Sequence, residues 1–476
     1  MIRRSLAWVV GSAAVAAVLV GIGFLVPEYT AISVGVAALV LVVGMTVYEP
    51  AAMPILAMPA MVIVERVGGD AVNLSLSDFA LFGAFWFALF FTQRPLSRPM
   101  RSLLWLSALY QVATLFTVIA NPYTANTVEW FHAWLSVGGA LLVGWAVGRA
   151  GRARLGLTLF MIPCLIIAVL TCFTALQQLA AGDTGPVYLQ IPFPMHKNFV
   201  GCVLGSAALL AYARPWWVGW PKAFTYPAFW LFGLAVLASQ SRQALIGLAI
   251  GVVLITLRAD PDRKRSKLIL LAAIPAVYFV WAAVQEQLAT NDQFNSAYQR
   301  LTWYEQAIDV WERSPWVGVG LRWWVANRTE YTFQPPNAEL EVLTSAGLVG
   351  LVAFIVLFFG SLVVLWRINP RFGTLAFSVL LMRFIQGQFD LFWVSVQVSV
   401  PFLIVGVCVG ADAYAESRRA AREETGDRLP VDDLRSVEEM LDARGPSKHL
   451  VLTPASIPVP QPDPAPTGRH RKDPTT

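Results

Sequence analysis

A few polar residues stand out against an apolar chain. His196 lies in Pro-Phe-Pro-Met-His-Lys-Asn-Phe, behind two prolines that fix the backbone and ahead of Lys197 and Asn198. A neutral imidazole there could accept a proton, or donate to a phosphate oxygen. Arg242 sits in Ala-Ser-Gln-Ser-Arg-Gln-Ala, between two apolar runs with almost no loop to hold it. An arginine at a membrane edge is costly unless it is paired, faces water or snorkels to the interface, and its guanidinium fork suits a phosphate. Arg300, at the start of a helix predicted over 295–313, offers a second cation for the same cavity. Glu339 and Glu341 stand two apart, so they do not share a helix face and at most one would face that cavity. Together these types suit neutralising a phosphate-bearing group and moving one proton.

Other polar residues carry weaker signals. Glu129 and His132 are spaced i,i+3, which permits one contact but makes a poor metal site alone. Asp390, between Phe389 and Leu391, reads as a buried carboxylate that pairs with an arginine, and Asp78 reads as a helix N-cap. Ser-Pro-Trp-Val-Gly-Val-Gly (314–320) reads as a tight turn. No zinc, calcium, P-loop or dinucleotide motif is present. The four cysteines, Cys164, Cys172, Cys202 and Cys408, fall in apolar runs and read as packing residues.

The elements that must position these groups are membrane spans. The chain is 57% hydrophobic and 14% charged, where a soluble domain carries about 25% charge. Runs long enough to cross a bilayer lie at 6–26, 31–48, 79–91, 102–120, 128–147, 156–179, 199–213, 224–238, 244–257, 268–284, 347–366, 373–389 and 394–411. The first is too long for a signal-peptide core and lacks a small-x-small cleavage site, so it counts as a span. A further run at 51–64 holds two prolines and is either a kinked span or a re-entrant segment. The expected fold is an all-α, polytopic transmembrane bundle of about 12–14 spans.

Arginine and lysine set the expected orientation. The formal charge of +5 lies in short loops and the tail; this pattern orients a protein in a bilayer and does not suggest nucleic acid. If the clusters at 94–101, 149–154, 214–222, 258–267 and 367–371 are cytoplasmic, both termini are cytoplasmic and a multi-pass domain (1–413) carries a long extracytoplasmic loop at 285–346. His196, Arg242 and that loop then share the outer face. Ordering so long a loop costs entropy that packing alone rarely offsets, so it is expected to wall a site. Residues 414–476 are charged, then Pro-rich, and read as a disordered cytoplasmic tail able to contact anionic lipid or a partner.

The ordered set His196-Lys197-Asn198, Ser241-Arg242, Arg300…Trp303…Ala307, Pro315-Trp-Val-Gly318-Val-Gly320 and Pro336-Asn337-Ala-Glu339-Leu…Gly347-Leu-Val-Gly350 resembles the bacterial O-antigen ligase and polymerase-like family. The resemblance covers roughly residues 195–354. It implies a GT-C-like fold and a metal-independent glycosyltransferase that needs no cofactor. Such an enzyme moves an oligo- or polysaccharide from a polyprenyl-diphosphate carrier to a lipid or glycan acceptor in cell-envelope biosynthesis. Arg242 and Arg300 would stabilise the departing diphosphate, with Lys197, Asn198 and Asn337 also at the substrate. Where the ligases carry a catalytic histidine before the asparagine, this chain has Pro336, which accepts no proton. His196, Glu339 or Glu341 would then serve as base, unless the chain is a divergent or inactive member with a scaffold role. A transporter or flippase of lipid-linked glycans is the alternative class; it should show ionisable residues near mid-span and internal repeats.

Overall fold

The structure is a computed structural model. It describes residues 30–67, 74–92, 94–258, 296–326 and 334–425, with residues 21, 267–269, 271, 285, 328, 329 and 331. Most of the spans expected at 6–26 and 268–284 lie outside the described residues. So do the start of the long loop, the tail beyond residue 425 and the side chain of Arg300. By contacts the chain divides into one unit, Met1–Arg418, which holds the helices below except the end of the final described helix, and a second, Arg419–Thr476.

The fold is an all-α polytopic bundle. Helices α1 (Thr30–Tyr48), α2 (Ala52–Ala60), α3 (Leu76–Phe91), α4 (Arg98–Ala120), α5 (Thr124–Arg149) and α6 (Ala153–Ala180) come first. They are followed by α7 (Lys197–Ala213), α8 (Lys222–Ser239), α9 (Arg242–Leu257), α10 (Ser296–Glu312), α11 (Ala338–Arg367), α12 (Pro370–Gly387) and α13 (Ser395–Thr425). Two residues of strand at Arg66–Val67 pair antiparallel with Leu74–Ser75. Helices dominate because a span has no water to hydrogen-bond its backbone and must satisfy it internally. Among the described residues α4, α5, α6, α8, α11 and α13 are long and apolar enough to cross a bilayer. The end of α1 and α2 meet at 116° and make a seventh if the bent pair is one span; α3, α7 and α9 are shorter apolar helices.

The two ends of the bundle differ in character. At one end Arg152 reaches Glu49 (2.8 Å), Arg149 donates to Ser417 (2.8 Å), and Arg258 donates to the Trp366 carbonyl (2.7 Å) while stacking on its ring. These arginines belong to the basic clusters expected from sequence to face the cytoplasm. The other end gathers the starts of α3, α7, α9, α11 and α13, and it carries uncharged amides, carboxylates and the loop between α10 and α11.

Helices α5 and α13 form the centre and are buried along most of their apolar length. They meet through paired small-xxx-small motifs, Gly144/Gly148 and Gly406/Gly410, which let the two backbones touch. A Cβ at Gly144 would lie 2.1 Å from the Leu403 carbonyl oxygen, and one at Gly406 would lie 2.3 Å from that of Leu141. Gly144→Ala should therefore destabilise the bundle by about 2 kcal/mol, the usual scale of an overpacked core. The change is read as a lowered midpoint of thermal unfolding in detergent, and Gly144→Leu should not accumulate in membranes at all.

Candidate functional site

The link between α12 and α13, residues 388–394, joins the elements that carry the polar residues. Asp390 Oδ2 accepts hydrogen bonds from Gln243 Nε2 (2.6 Å) and Asn198 Nδ2 (3.2 Å), tying the starts of α9 and α7 to the link. Ser241 Oγ donates to Asn198 Oδ1 (3.4 Å). On its other side the link meets the start of α11. Gln388 Nε2 donates to Glu339 Oε1 (2.7 Å), Asn337 Nδ2 donates to the Gln388 carbonyl (3.4 Å), and the Phe392 N–H donates to Glu341 Oε2 (2.6 Å). Asn337 also caps α11 by accepting from the Leu340 N–H (3.0 Å).

The link is anchored from below by Arg383, which is fully buried. Its guanidinium donates to Gln397 Oε1 (2.9 Å) and to the carbonyls of Leu391 (3.0 Å) and Phe392, and it lies over the Phe392 ring. An arginine inside an apolar helix survives only with such partners. The lone charge in Ser-Val-Leu-Leu-Met-Arg-Phe could have signalled this anchor from sequence, but sequence reasoning passed it over. It also passed over Gln243 and Gln388, which carry no comparable signal.

The structure brings Lys197, Asn198, Arg242, Asn337, Glu339 and Glu341 to one end of the bundle with His196. Lys197 and Arg242 are close enough to repel one another, so two positive charges share this rim. Both glutamates bind the 388–394 link, Glu339 through Gln388 and Glu341 through the Phe392 N–H, because the link wraps the first turn of α11 and meets two of its faces. The backbone of Arg300 lies in the first turns of α10, which packs on α11. Asp390 is held by the Gln243 and Asn198 amides, where the sequence pointed to an arginine.

His196 is the N-cap of α7, and its Nδ1 accepts from the Asn198 N–H (3.3 Å). That use of Nδ1 requires the tautomer with a proton on Nε2. The exposed nitrogen is then a donor suited to a phosphate oxygen, and its accepting nitrogen is already engaged. Burial pushes the imidazole below its ordinary 6.5, against the pull of Asp390. The unfolded chain takes the proton first as pH falls, so stability should rise with pH through the window just below 6.5. His196→Asn keeps a good cap and should remove that dependence, as read by melting midpoints across the window.

The loop before α11 is built into a break in that helix. Gly347 has φ 66° and ψ −168°, which frees the Thr344 and Ser345 carbonyls and the Leu348 and Val349 N–H groups. Residues 315–320 replace every lost bond. Val319 and Gly320 donate to Thr344 and Ser345 (both 3.0 Å), while Pro315 and Trp316 accept from Leu348 (2.9 Å) and Val349 (3.1 Å). The expected turn is present as a Gly318 N–H to Ser314 carbonyl bond (2.9 Å), and it lies inside the broken helix. Asn121 donates to the Gly318 carbonyl (3.1 Å), and Asn126 Oδ1 accepts from the Leu321 N–H (2.8 Å), fixing the loop to the α4–α5 corner.

That corner holds a buried ionic chain. Glu129 and His132 make the contact their spacing allows (3.3 Å). His132 Nε2 also reaches Asp78 Oδ1 (3.1 Å), and Arg322 reaches Glu129 Oε2 (3.4 Å). Asp78 is not the N-cap expected from sequence. Ser75 is, and Asp78 sits one turn later, accepting from the Ser75 N–H (2.8 Å) and from Ser395 Oγ (2.6 Å). Among the described residues no group of three or more His, Cys, Asp or Glu could hold a metal ion.

Fold and site together define a polytopic membrane protein with a polar, partly cationic site at one end of its bundle. Residues 227–355 match the model of the O-antigen ligase family, so this stretch is O-antigen ligase-like. The match takes in Arg242, Arg300, Asn337, Glu339 and Glu341, and ends short of His196 and Asp390. The chain is also 32% identical over 155 residues to "Membrane protein UL43" of human herpesvirus 1 (strain 17), covering 32% of this chain and 34% of that protein. It thus spans about a third of that relative's length, and the relative's name says only that it is a membrane protein.

Proposed function

We propose that the protein is an extracytoplasmic glycan ligase or polymerase that transfers an oligo- or polysaccharide from a polyprenyl-diphosphate carrier to a lipid or glycan acceptor. The carrying observation is the convergence of the starts of α7, α9 and α11 on the 388–394 link, which gathers cations and a carboxylate with a free oxygen. The basic end faces the cytoplasm, with both termini and the tail, so the polar end faces outward. The O-antigen ligase-like match of residues 227–355 supports the same reading.

In this reading Arg242, Arg300 and Lys197 neutralise charge on the diphosphate, and His196 Nε2–H donates to one of its oxygens. Asn198 and Asn337 hold the rim through Asp390 and Gln388. The acceptor oxygen attacks the anomeric carbon, the bond from that carbon to the diphosphate oxygen breaks, and the diphosphate leaves with the electron pair. The hydroxyl proton passes to Glu339. Its Oε1 is held by Gln388, and its Oε2 is buried without a hydrogen-bond partner among the described residues. Glu341 instead holds the Phe392 N–H and positions the link. Glu339 thereby supplies the base that Pro336 cannot.

Glu339→Gln should lower transfer about a hundredfold, the low end for a general base, because the donor is already activated. The assay is glycan analysis of a gene-deletion strain complemented with each variant. Wild-type glycan from Glu339→Gln would remove Glu339 from the mechanism. Donor trapped on the cytoplasmic side would assign the protein to lipid-linked glycan transport.

A further inference from the structure

Between the α4–α5 corner and the first turns of α11 lies a small cavity lined by Tyr110, Glu129, Leu321, Val342, Ser345 and Trp393, among others. Two of its walls are chemically unusual for a bundle interior. Ser345 is 4% exposed, and its Oγ has no hydrogen-bond partner among the described residues. Glu129 is a buried carboxylate near a membrane edge, where ionisable groups are kept for function more often than for packing. The backbone points the same way: α5 widens to a π-helix at Leu135–Gly139, starting three residues after His132, and such segments recur at functional sites.

The ionic chain holds Glu129 in one orientation. A neutral imidazole has a single N–H, yet both nitrogens of His132 lie at hydrogen-bond distance from carboxylate oxygens. The arrangement therefore holds an imidazolium between Asp78 and Glu129, with Arg322 on the far oxygen of Glu129. Glu129 remains an oriented carboxylate, able to accept a hydrogen bond from a neutral O–H group. Ser345 Oγ can donate to or accept from the same group.

The cavity is adjacent to the site already described. Ser345 lies six residues beyond Glu339 on α11, about 9 Å along the axis at 1.5 Å per residue. Trp393 follows the Phe392 that Glu341 holds. We propose that this cavity seats a hydroxyl group of the acceptor, with Glu129 and Ser345 as its hydrogen-bonding partners and His132, Asp78 and Arg322 as positioning residues. The proposal rests on the transfer reading above and adds the side from which the acceptor enters.

The test mixes membranes of the deletion strain, carrying its accumulated lipid-linked glycan, with purified wild type, Ser345→Val, Ser345→Thr or Glu129→Gln protein. Each is titrated with the unglycosylated envelope fraction extracted from that strain. Ser345→Val fills the cavity and Glu129→Gln weakens the acceptor at constant shape. Each should raise the half-saturating acceptor concentration at least about tenfold without a matching rise for donor, and Ser345→Thr should restore part of the loss. Half-saturation within twofold of wild type for both Ser345→Val and Glu129→Gln would overturn the subsite. A deletion strain that accumulates no outward-facing donor would instead sink the transfer reading, and the subsite with it.

Discussion

Arg242→Ala should reduce glycan transfer about a thousandfold, and outward-facing lipid-linked glycan should accumulate. Removing one preorganised charge donor from a site of developing negative charge costs about 10²–10³ in rate, and a diphosphate leaving group concentrates that charge. Arg242 is the first residue of α9, directly after the buried Ser241 that hydrogen-bonds Asn198. The backbone holding the guanidinium is therefore braced from α7. Arg242→Lys keeps the charge but not the fork, and should recover only part of the activity. Comparing glycan output and protein level for both variants in the deletion strain checks the prediction. Wild-type transfer by Arg242→Ala would remove the clamp.

Gly347→Ala should cost about 3–5 kcal/mol and leave little folded protein. Two effects combine. The φ of 66° with ψ of −168° belongs to a region that only glycine adopts freely, and a Cβ there would lie 2.3 Å from the Trp316 carbonyl carbon. That neighbour is backbone and cannot swing aside. Gly318 on the opposing loop is under the same constraint, with φ 72° and a Cβ position 2.3 Å from the Ser345 carbonyl. Relieving either clash separates the loop from the broken helix and strands four backbone groups without partners. Protein yield and unfolding midpoint in detergent measure the effect; a normally folded Gly347→Ala would contradict the geometry.

Much of the helical architecture follows from apolar runs and charge placement, because a bilayer forces long apolar segments into helices. Arg242 was legible for a related reason: a cation where a span should begin is costly and so needs an explanation. Glu129 and His132 were legible as an i,i+3 pair, since helix geometry alone sets that contact. The link to Asp78, 54 residues earlier, was not. It depends on how α3 packs on α5, which no local spacing encodes. The same holds for Asp390, whose amide partners come from two other helices. The break at Gly347 was hidden because a glycine in an apolar run looks the same whether it is helical or at φ 66°. The Gly144/Gly148 and Gly406/Gly410 pairs were not singled out from the sequence, and the structure shows that they face each other.

The central place of α13 has a consequence for how the protein is made. The helix that fills the middle of the bundle is delivered by the ribosome after every other described helix. Until it arrives, the groove against Gly144 and Gly148 stands open, Asp78 lacks Ser395 and Arg383 lacks Gln397. The earlier described spans must wait in the bilayer, partly assembled, until α13 arrives. A chain cut short before residue 395 should therefore insert and yet be cleared by quality control, whereas supplying residues 395–425 as a separate span could restore the bundle.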